Sequence, residues 1–259
     1  MALGLDQKKE IKELLQTKIK NKLARYSRES SSMPFLLRLI QDTEKVAAYS
    51  FIHSIATTLG MSIYEDVSKI IARASCEEAF TKMDLGGVIS RAQKDIISNI
   101  IRELRNGERK VNKDREVREV LRASAQDGRP QKEGKIADFY MKRDGVEYYI
   151  EIKTVKPNID VFTTSKEKLL EWNARKRMPV KTILAFPYNP YYPEPYTRFT
   201  EQGLLEHGKE FLIAEEYWDF LGGQGTYPDL LEQFNDVGKI FKDEIAKKIK
   251  EVAEKRMNY

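Results

Sequence analysis

The fold is decided by residues 137–153, which read ADFYMKRDGVEYYIEIK. Asp144 and Gly145 stand between two runs rich in aromatic and β-branched residues. This pattern predicts a hairpin with a two-residue type I′ turn, in which both central residues adopt a positive φ. Counting outward from the turn pairs Asp138 with Glu151. The two carboxylates are therefore expected to be direct cross-strand neighbours, with Cβ atoms roughly 4.5–5.5 Å apart.

The same register divides the hairpin into two faces, because side chains alternate along a strand. Tyr140 is expected opposite Tyr149, and Glu151 shares its face with Lys153. The opposite face is apolar and should point into a core: Ala137, Phe139, Met141, Tyr148, Ile150 and Ile152. An acid and a lysine alternating on a half-exposed strand are also common on solvated edges, so that interpretation stays open.

Two facing carboxylates repel each other unless one is protonated or a cation lies between them. Mg²⁺ typically binds through one or two carboxylates, keeps several waters and takes further ligands from substrate phosphate. Lys153, two residues beyond Glu151, can hold a phosphate oxygen or position an attacking water. The hairpin therefore outlines a Mg²⁺ site for phosphodiester hydrolysis, with Mn²⁺ as the expected substitute.

The spacing also resembles a known motif. Asp138, twelve intervening residues and then Glu151-Ile152-Lys153 look like the PD-(D/E)xK nuclease motif, with Ala137 at the position of the nominal proline. The resemblance implies a restriction-endonuclease-like core, a mixed central sheet with flanking helices. It also implies that Asp138 and Glu151 bind Mg²⁺ together with the main-chain carbonyl of Ile152, and that Lys153 assists the water.

The continuation of the motif narrows the resemblance. Residues 154–158, TVKPN, are similar to the corresponding segment of type II restriction endonucleases of this superfamily. Residues 150–158 resemble the TdeIII-type group, whose members share the recognition sequence GGNCC. The resemblance implies a homodimer that cuts double-stranded DNA at a short specific sequence. It further implies a bacterial or archaeal cytoplasm and a cognate DNA methyltransferase in the same system.

A third acid is a candidate for the metal site. A helix is expected over roughly residues 62–82, with Val67 and Ile71 on its apolar face, and Glu78 falls within that stripe. A glutamate on a core-facing stripe needs a partner, and some restriction endonucleases supply a further acid from an upstream helix. Glu78 is therefore a possible further metal ligand, with Glu77 second, unless the helix end turns it to solvent.

Two segments after the hairpin supply candidate DNA contacts. Thr164 and Glu167 match a capping box, which predicts a helix to about Met178, and residues 180–186 should form a strand parallel to that of Glu151. Residues 186–199 form a proline- and aromatic-rich loop. Basic and polar side chains suit phosphate or base edges. The predicted contacts are Lys156, Asn158, Lys166, Arg175, Lys176, Arg177, Tyr188, Asn189 and Arg198.

The remaining helical patterns predict the domain organisation, an α/β core with an N-terminal helical region. Residues 1–107 are expected to be mainly helical, packed on the core and contributing to DNA binding or dimerisation. Residues 108–259 are expected to hold the nuclease core and a C-terminal helix, the two parts forming one compact unit. The polar stretch 108–134 reads as a linker, a loop or a DNA-contacting arm.

Composition excludes several classes. The chain has 259 residues and a net charge of +5, which favours an anionic partner. One cysteine excludes an internal disulfide, and two scattered histidines do not form a zinc site with it. No unbroken run approaches 18 apolar residues, so no membrane segment is expected. Alternatives to a restriction enzyme are a repair or recombination nuclease of the same superfamily and a non-catalytic DNA-binding protein.

Overall fold

The computed structural model describes residues 3–26, 34–153, 158–196 and 203–254. The elements in these ranges, in chain order, are α1 (Leu5–Arg25), α2 (Pro34–Ile40), α3 (Thr43–Thr58), a π-helical segment (Leu59–Ile63), α4 (Tyr64–Ala72), β1 (Glu78–Asp84), β2 (Val88–Ile89), α5 (Arg91–Arg105), α6 (Lys113–Arg122), β3 (Arg129–Pro130), β4 (Ile136–Arg143), β5 (Val146–Ile152), α7 (Ile159–Lys176), β6 (Lys181–Phe186), β7 (Phe211–Ile213), α8 (Glu215–Gly222) and α9 (Thr226–Glu254).

The chain divides into two compact units, one formed by Met1–Val67 with Gly225–Tyr259 and the other by Ser68–Gln224. These boundaries differ from the one expected at residue 107. The reason is that α5 packs its apolar face into the core of the second unit, through Ile97, Ile100 and Leu104.

The first unit is helical. α1 and α3 each pack against α9, and their buried side chains include Ile11 and Phe51. Lys8 pairs with Asp229 at 3.0 Å between α1 and α9. The expected C-terminal helix is confirmed as α9. α2 and α3 are separate helices, because Asp42 caps α3 by accepting the Lys45 N–H.

The second unit is built on a five-stranded sheet in the order β1-β4-β5-β6-β7. β4 pairs antiparallel with β1 and β5, whereas β5, β6 and β7 are parallel. α7 connects β5 to β6, as parallel neighbours require. The expected α/β class, the mixed sheet and the parallel strand after α7 are confirmed.

The first strand of this sheet was not expected. The helix predicted over 62–82 ends at Ala72, and β1 follows at Glu78–Asp84. Its pairing with β4, for example Phe80 opposite Tyr140, overrides the helical pattern read from the sequence. β1 comes from about 50 residues upstream of β4, the strand with which it pairs.

The polar stretch 108–134 contains α6, which was also missed. Asn112 begins the helix by accepting the Arg115 N–H at 2.9 Å. Its buried side chains include the charged Lys113 and Glu116, so the segment has few apolar residues by which a core-facing helix could be recognised. Tertiary ion pairs to Lys166 of α7 and to Glu210 compensate these buried charges. We call Lys113, Glu116, Lys166 and Glu210 the buried ion quartet.

One continuous helical stretch, Thr43–Ala72, has the length and apolar composition that a membrane-spanning helix needs. The match concerns length and composition only, and 22% of its most apolar window is buried in the protein. The stretch includes Glu65, Asp66 and Lys69, so it is not an unbroken apolar run.

Candidate active site

The hairpin has the expected turn and register. Asp144 and Gly145 adopt φ values of 52° and 73°. Tyr140 lies opposite Tyr149, and the pairing of the two strands ends at Phe139 and Ile150. Asp138 and Glu151 are the next residues along the two strands. Asp138 Oδ2 accepts the N–H of Ile152 at 2.9 Å, which fixes that carboxylate against β5.

Glu151 is the most enclosed charged group of the site. Its side chain is 4% exposed, and Lys153 Nζ lies 2.5 Å from Oε1. The other oxygen, Oε2, is buried and accepts no hydrogen bond from the described residues. Lys168 Nζ of α7 is 3.4 Å from Oε2, beyond the usual hydrogen-bond distance. Glu151 therefore keeps one buried oxygen with coordination capacity.

Asp138 is flanked on its other side by a lysine of β1. The pairs Thr81–Phe139 and Met83–Ala137 place Lys82 level with Asp138 in the register. Lys82 Nζ lies 3.6 Å from Asp138 Oδ1. A row of charged side chains therefore crosses three strands on one face of the sheet.

α7 crosses this face in step with β5. Four residues of helix rise about 6 Å and two residues of strand about 6.6 Å, so side chains spaced by four on α7 match side chains spaced by two on β5. Contacts follow this pattern at three successive levels, Lys168 with Glu151, Trp172 with Tyr149, and Lys176 with Glu147. The sequence interpretation missed Lys168, although this spacing could have identified it once the helix and strand were paired.

The donor set suits a hard divalent cation. Among the described residues, no group of three or more His, Cys, Asp or Glu side chains could hold a metal ion. Asp138 and Glu151 supply two carboxylates, and Glu151 Oε2 is a buried oxygen without a hydrogen bond. Mg²⁺ is usually bound by one or two carboxylates, with waters and substrate phosphate completing its shell. Asp138, Glu151 and the main-chain carbonyl of Ile152 therefore fit such an ion.

The structure contradicts the prediction that Glu78 joins this site. Glu78 begins β1, opposite Lys142 of β4. Four residues of β4 separate Lys142 from Asp138, which corresponds to about 13 Å along the strand. Glu78 instead interacts with Tyr140, whose pKa is raised by burial and by Glu147 and Glu78. The prediction is wrong because the residue lies on a strand rather than on a helix.

Two predicted DNA contacts are inside the protein. Lys166 is fully buried and pairs with Glu116 and Glu210. Arg175 is 4% exposed and donates to the main-chain carbonyls of Gly86, Gln131 and Glu133. Burial removes both residues from the predicted DNA-binding set.

Two further candidates have local structural roles. Asn158, rather than Thr164, is the N-cap of α7, because its side chain accepts the Val161 N–H at 3.0 Å. The predicted capping box at Thr164 is therefore wrong. Asn189 closes a turn by accepting the Tyr191 N–H at 2.9 Å and donating to the Glu194 carbonyl at 2.7 Å.

The basic end of α7 lies far from the carboxylates. The helix carries Lys176 eight residues, about 12 Å, beyond Lys168, which faces Glu151. It begins soon after Lys153 and ends at Lys176, which pairs with Glu147 near the hairpin turn. Arg177 follows as an exposed left-handed C-cap. Neither basic residue is brought to Asp138 and Glu151.

Three predicted contacts remain, and the structure describes one of them. Tyr188 is 40% exposed. Lys156 and Arg198 fall outside the described residues.

Comparison with known proteins gives a consistent result. A family model described as "Type II restriction endonuclease, HinfI" matches residues 3–238. The chain is 32% identical over 205 residues to the type II restriction enzyme MjaII of Methanocaldococcus jannaschii. This aligned region covers 72% of this chain and 54% of that enzyme. It is 30% identical over 206 residues to the type II restriction enzyme HgiCII of Herpetosiphon aurantiacus. This second aligned region covers 77% of this chain and 75% of HgiCII. The chain thus spans about half the length of MjaII and about three quarters of that of HgiCII.

Proposed function

Because the chain belongs to the HinfI family of type II restriction endonucleases, we propose that it is a Mg²⁺-dependent nuclease that cleaves double-stranded DNA at a short specific sequence. The observation that carries this proposal is the placement of Asp138, whose carboxylate accepts the Ile152 N–H, beside Glu151 and Lys153. Glu151 Oε2 is buried without a hydrogen bond from the described residues, and a bound cation would satisfy it.

The residues divide the chemistry as follows. Asp138, Glu151 and the main-chain carbonyl of Ile152 would hold Mg²⁺, with Mn²⁺ as a substitute. The chemistry supplied by the bound ion is polarisation of the scissile phosphate and activation of water. Lys153 is 35% exposed, so its ammonium can reach from Glu151 toward the phosphate and neutralise the charge that develops there.

The number of sites in one chain bears on how many chains are needed. The described residues contain one such carboxylate pair, and a duplex has two strands to cut. We therefore propose a homodimer with one site for each strand. The expected protection of the host is a cognate DNA methyltransferase, and the expected compartment is the cytoplasm of a bacterium or archaeon.

The DNA-contacting residues need revision. Lys156, Tyr188 and Arg198 stay in the proposed set. Lys166 and Arg175 leave it because they are buried, and Asn158 and Asn189 have main-chain partners. Phosphate contacts by Lys156 and Arg198 would give a DNA affinity that falls as the salt concentration rises.

The test is incubation of the protein with bacteriophage DNA and Mg²⁺, followed by sequencing of the fragment ends. We expect discrete fragments whose ends share one short sequence, and GGNCC is the first candidate. Removing the divalent ion with a chelator should stop cleavage.

The matched control is Glu151→Gln, which keeps the size of the side chain and removes its charge. Cleavage should fall by at least about 100-fold, while DNA binding is retained. Full cleavage by this variant would refute the mechanism. If the unaltered protein neither nicks DNA nor binds Mn²⁺ in a calorimetric titration, the non-catalytic alternative is favoured.

A further inference from the structure

A second lysine reaches the carboxylate of Glu151 from α7. Lys153 Nζ lies 2.5 Å from Oε1, and Lys168 Nζ lies 3.4 Å from Oε2. Each oxygen of this almost fully buried carboxylate therefore faces one ammonium group. The motif accounts for Lys153 only, and Lys168 has no role in the function derived above.

The position of Lys168 is defined by a rigid neighbour. Its Nζ lies 5.2 Å from the centroid of the Trp172 ring, a cation–π distance. Trp172 is fully buried, and its indole N–H donates to the Gly134 carbonyl at 2.7 Å. The side chain of Lys168 itself is 21% exposed, so its ammonium has a path toward solvent that Trp172 lacks.

The charges of the site oppose a cation in the absence of DNA. Asp138 and Glu151 contribute two negative charges, while three lysines, Lys82, Lys153 and Lys168, contribute three positive charges. The local sum is +1, and a divalent ion would raise it to +3. Lys168 and a cation would also compete for the same oxygen, Glu151 Oε2, and like charges at such short range repel. A phosphate group offsets this excess and gives the displaced ammonium a new partner.

We propose that Lys168 is the resident counter-ion of Glu151 in the DNA-free protein and a phosphate-binding residue in the DNA complex. Without DNA its ammonium faces Oε2 and keeps divalent-ion affinity low. With DNA bound it moves to a phosphate oxygen and leaves Oε2 to the ion. Metal and DNA binding are thereby coupled, because each raises the affinity of the protein for the other. This inference rests on the proposed nuclease function.

The test is calorimetric titration of the DNA-free full chain with Mn²⁺. Lys168→Met removes the charge, keeps an apolar stem on Trp172, and should bind Mn²⁺ at least about threefold more tightly than the unaltered protein. Lys168→Arg keeps the positive charge and should retain the unaltered affinity. Lys142→Met is the matched control, because Lys142 pairs at 3.6 Å with Glu77 on the same sheet, and its Mn²⁺ affinity should not change.

A second readout uses DNA cleavage with Mg²⁺. Loss of the phosphate contact should lower kcat/KM of Lys168→Met at least about tenfold, while Lys142→Met cleaves normally. Circular dichroism and thermal melting verify that each variant is folded. Unchanged, weaker or unmeasurable Mn²⁺ binding by a folded Lys168→Met overturns the inference. If the unaltered protein binds Mn²⁺ and cleaves DNA while the Lys168→Met result contradicts the inference, the nuclease proposal stands and only the role of Lys168 fails. If the unaltered protein neither binds Mn²⁺ nor cleaves DNA, the nuclease proposal itself fails.

Discussion

At the scale of single residues, sequence position is a poor guide to the use of a basic side chain. Lys153, Lys168 and Arg175 lie within 23 residues of one another, yet two of them face a carboxylate and one holds main-chain carbonyls. Arg175 donates to Gly86, Gln131 and Glu133, and its own carbonyl lies so close to Gly87 that a Cβ there would approach it to 2.6 Å. Its function is structural.

Replacement of this guanidinium should therefore reduce stability. Arg175→Met leaves three carbonyls without their donor, and we expect the free energy of unfolding to fall by about 2–4 kcal/mol. Arg177→Met, two residues later and exposed, should change it by less than about 0.5 kcal/mol. Urea denaturation of both variants measures the difference. Equal stability of the two would contradict the structural role of Arg175.

At the scale of elements, α6 and α7 are joined by the buried ion quartet. Lys166 contacts Glu116 of α6 and also Glu210, while Lys113 of α6 reaches Glu210 at 3.1 Å. The four charges sum to zero and all are buried. A buried pair adds little stability compared with apolar residues, but removing one partner leaves an uncompensated charge.

A double-mutant cycle tests this coupling. Lys166→Met alone leaves Glu116 without its ammonium partner and should cost about 3–5 kcal/mol of unfolding free energy. Adding Glu116→Gln removes that unpaired charge and keeps the acceptor for the Asn112 N–H. The double variant should therefore be more stable than the single variant by at least about 1 kcal/mol. Additive losses would show that the two side chains are not coupled.

At the scale of the whole molecule, the same quartet makes stability depend on pH. Burial by itself raises the pKa of Glu210, but Lys113 and Lys166 outweigh it, so the pKa is lowered from the ordinary value of 4.5. A lowered folded-state pKa means that the unfolded chain binds the proton first as the pH falls. The stabilisation is therefore fully present above about pH 4.5 and is lost as the pH falls through the folded-state pKa.

Thermal melting between pH 3 and pH 7 should show this loss. The melting temperature of the unaltered protein is expected to fall steeply below about pH 4.5. Glu210→Gln should melt at a lower temperature at pH 7, because two buried lysines lose a counter-charge, and its melting temperature should fall less steeply in acid. Parallel curves for the two proteins would assign the acid transition to other carboxylates.

Local chemistry in the sequence determined the hairpin. Asp144 and Gly145 set a two-residue turn, and counting outward from it predicted the register of β4 and β5 that the structure shows as far as Phe139 and Ile150. The same local reasoning identified the C-terminal helix α9 and the parallel strand β6. The motif residues carried by this hairpin also indicated a type II restriction endonuclease, the class to which the family match assigns the chain.

Only the tertiary structure decided the features that depend on partners distant in sequence. β1 is a strand because β4 pairs with it, and α6 is buried because Lys166 and Glu210 neutralise its charges. Long-range pairing also separated Lys168, which faces Glu151, from Arg175, which does not. Turn geometry acts over two residues and can be read locally, whereas the environment of a charge is set by whichever elements pack around it.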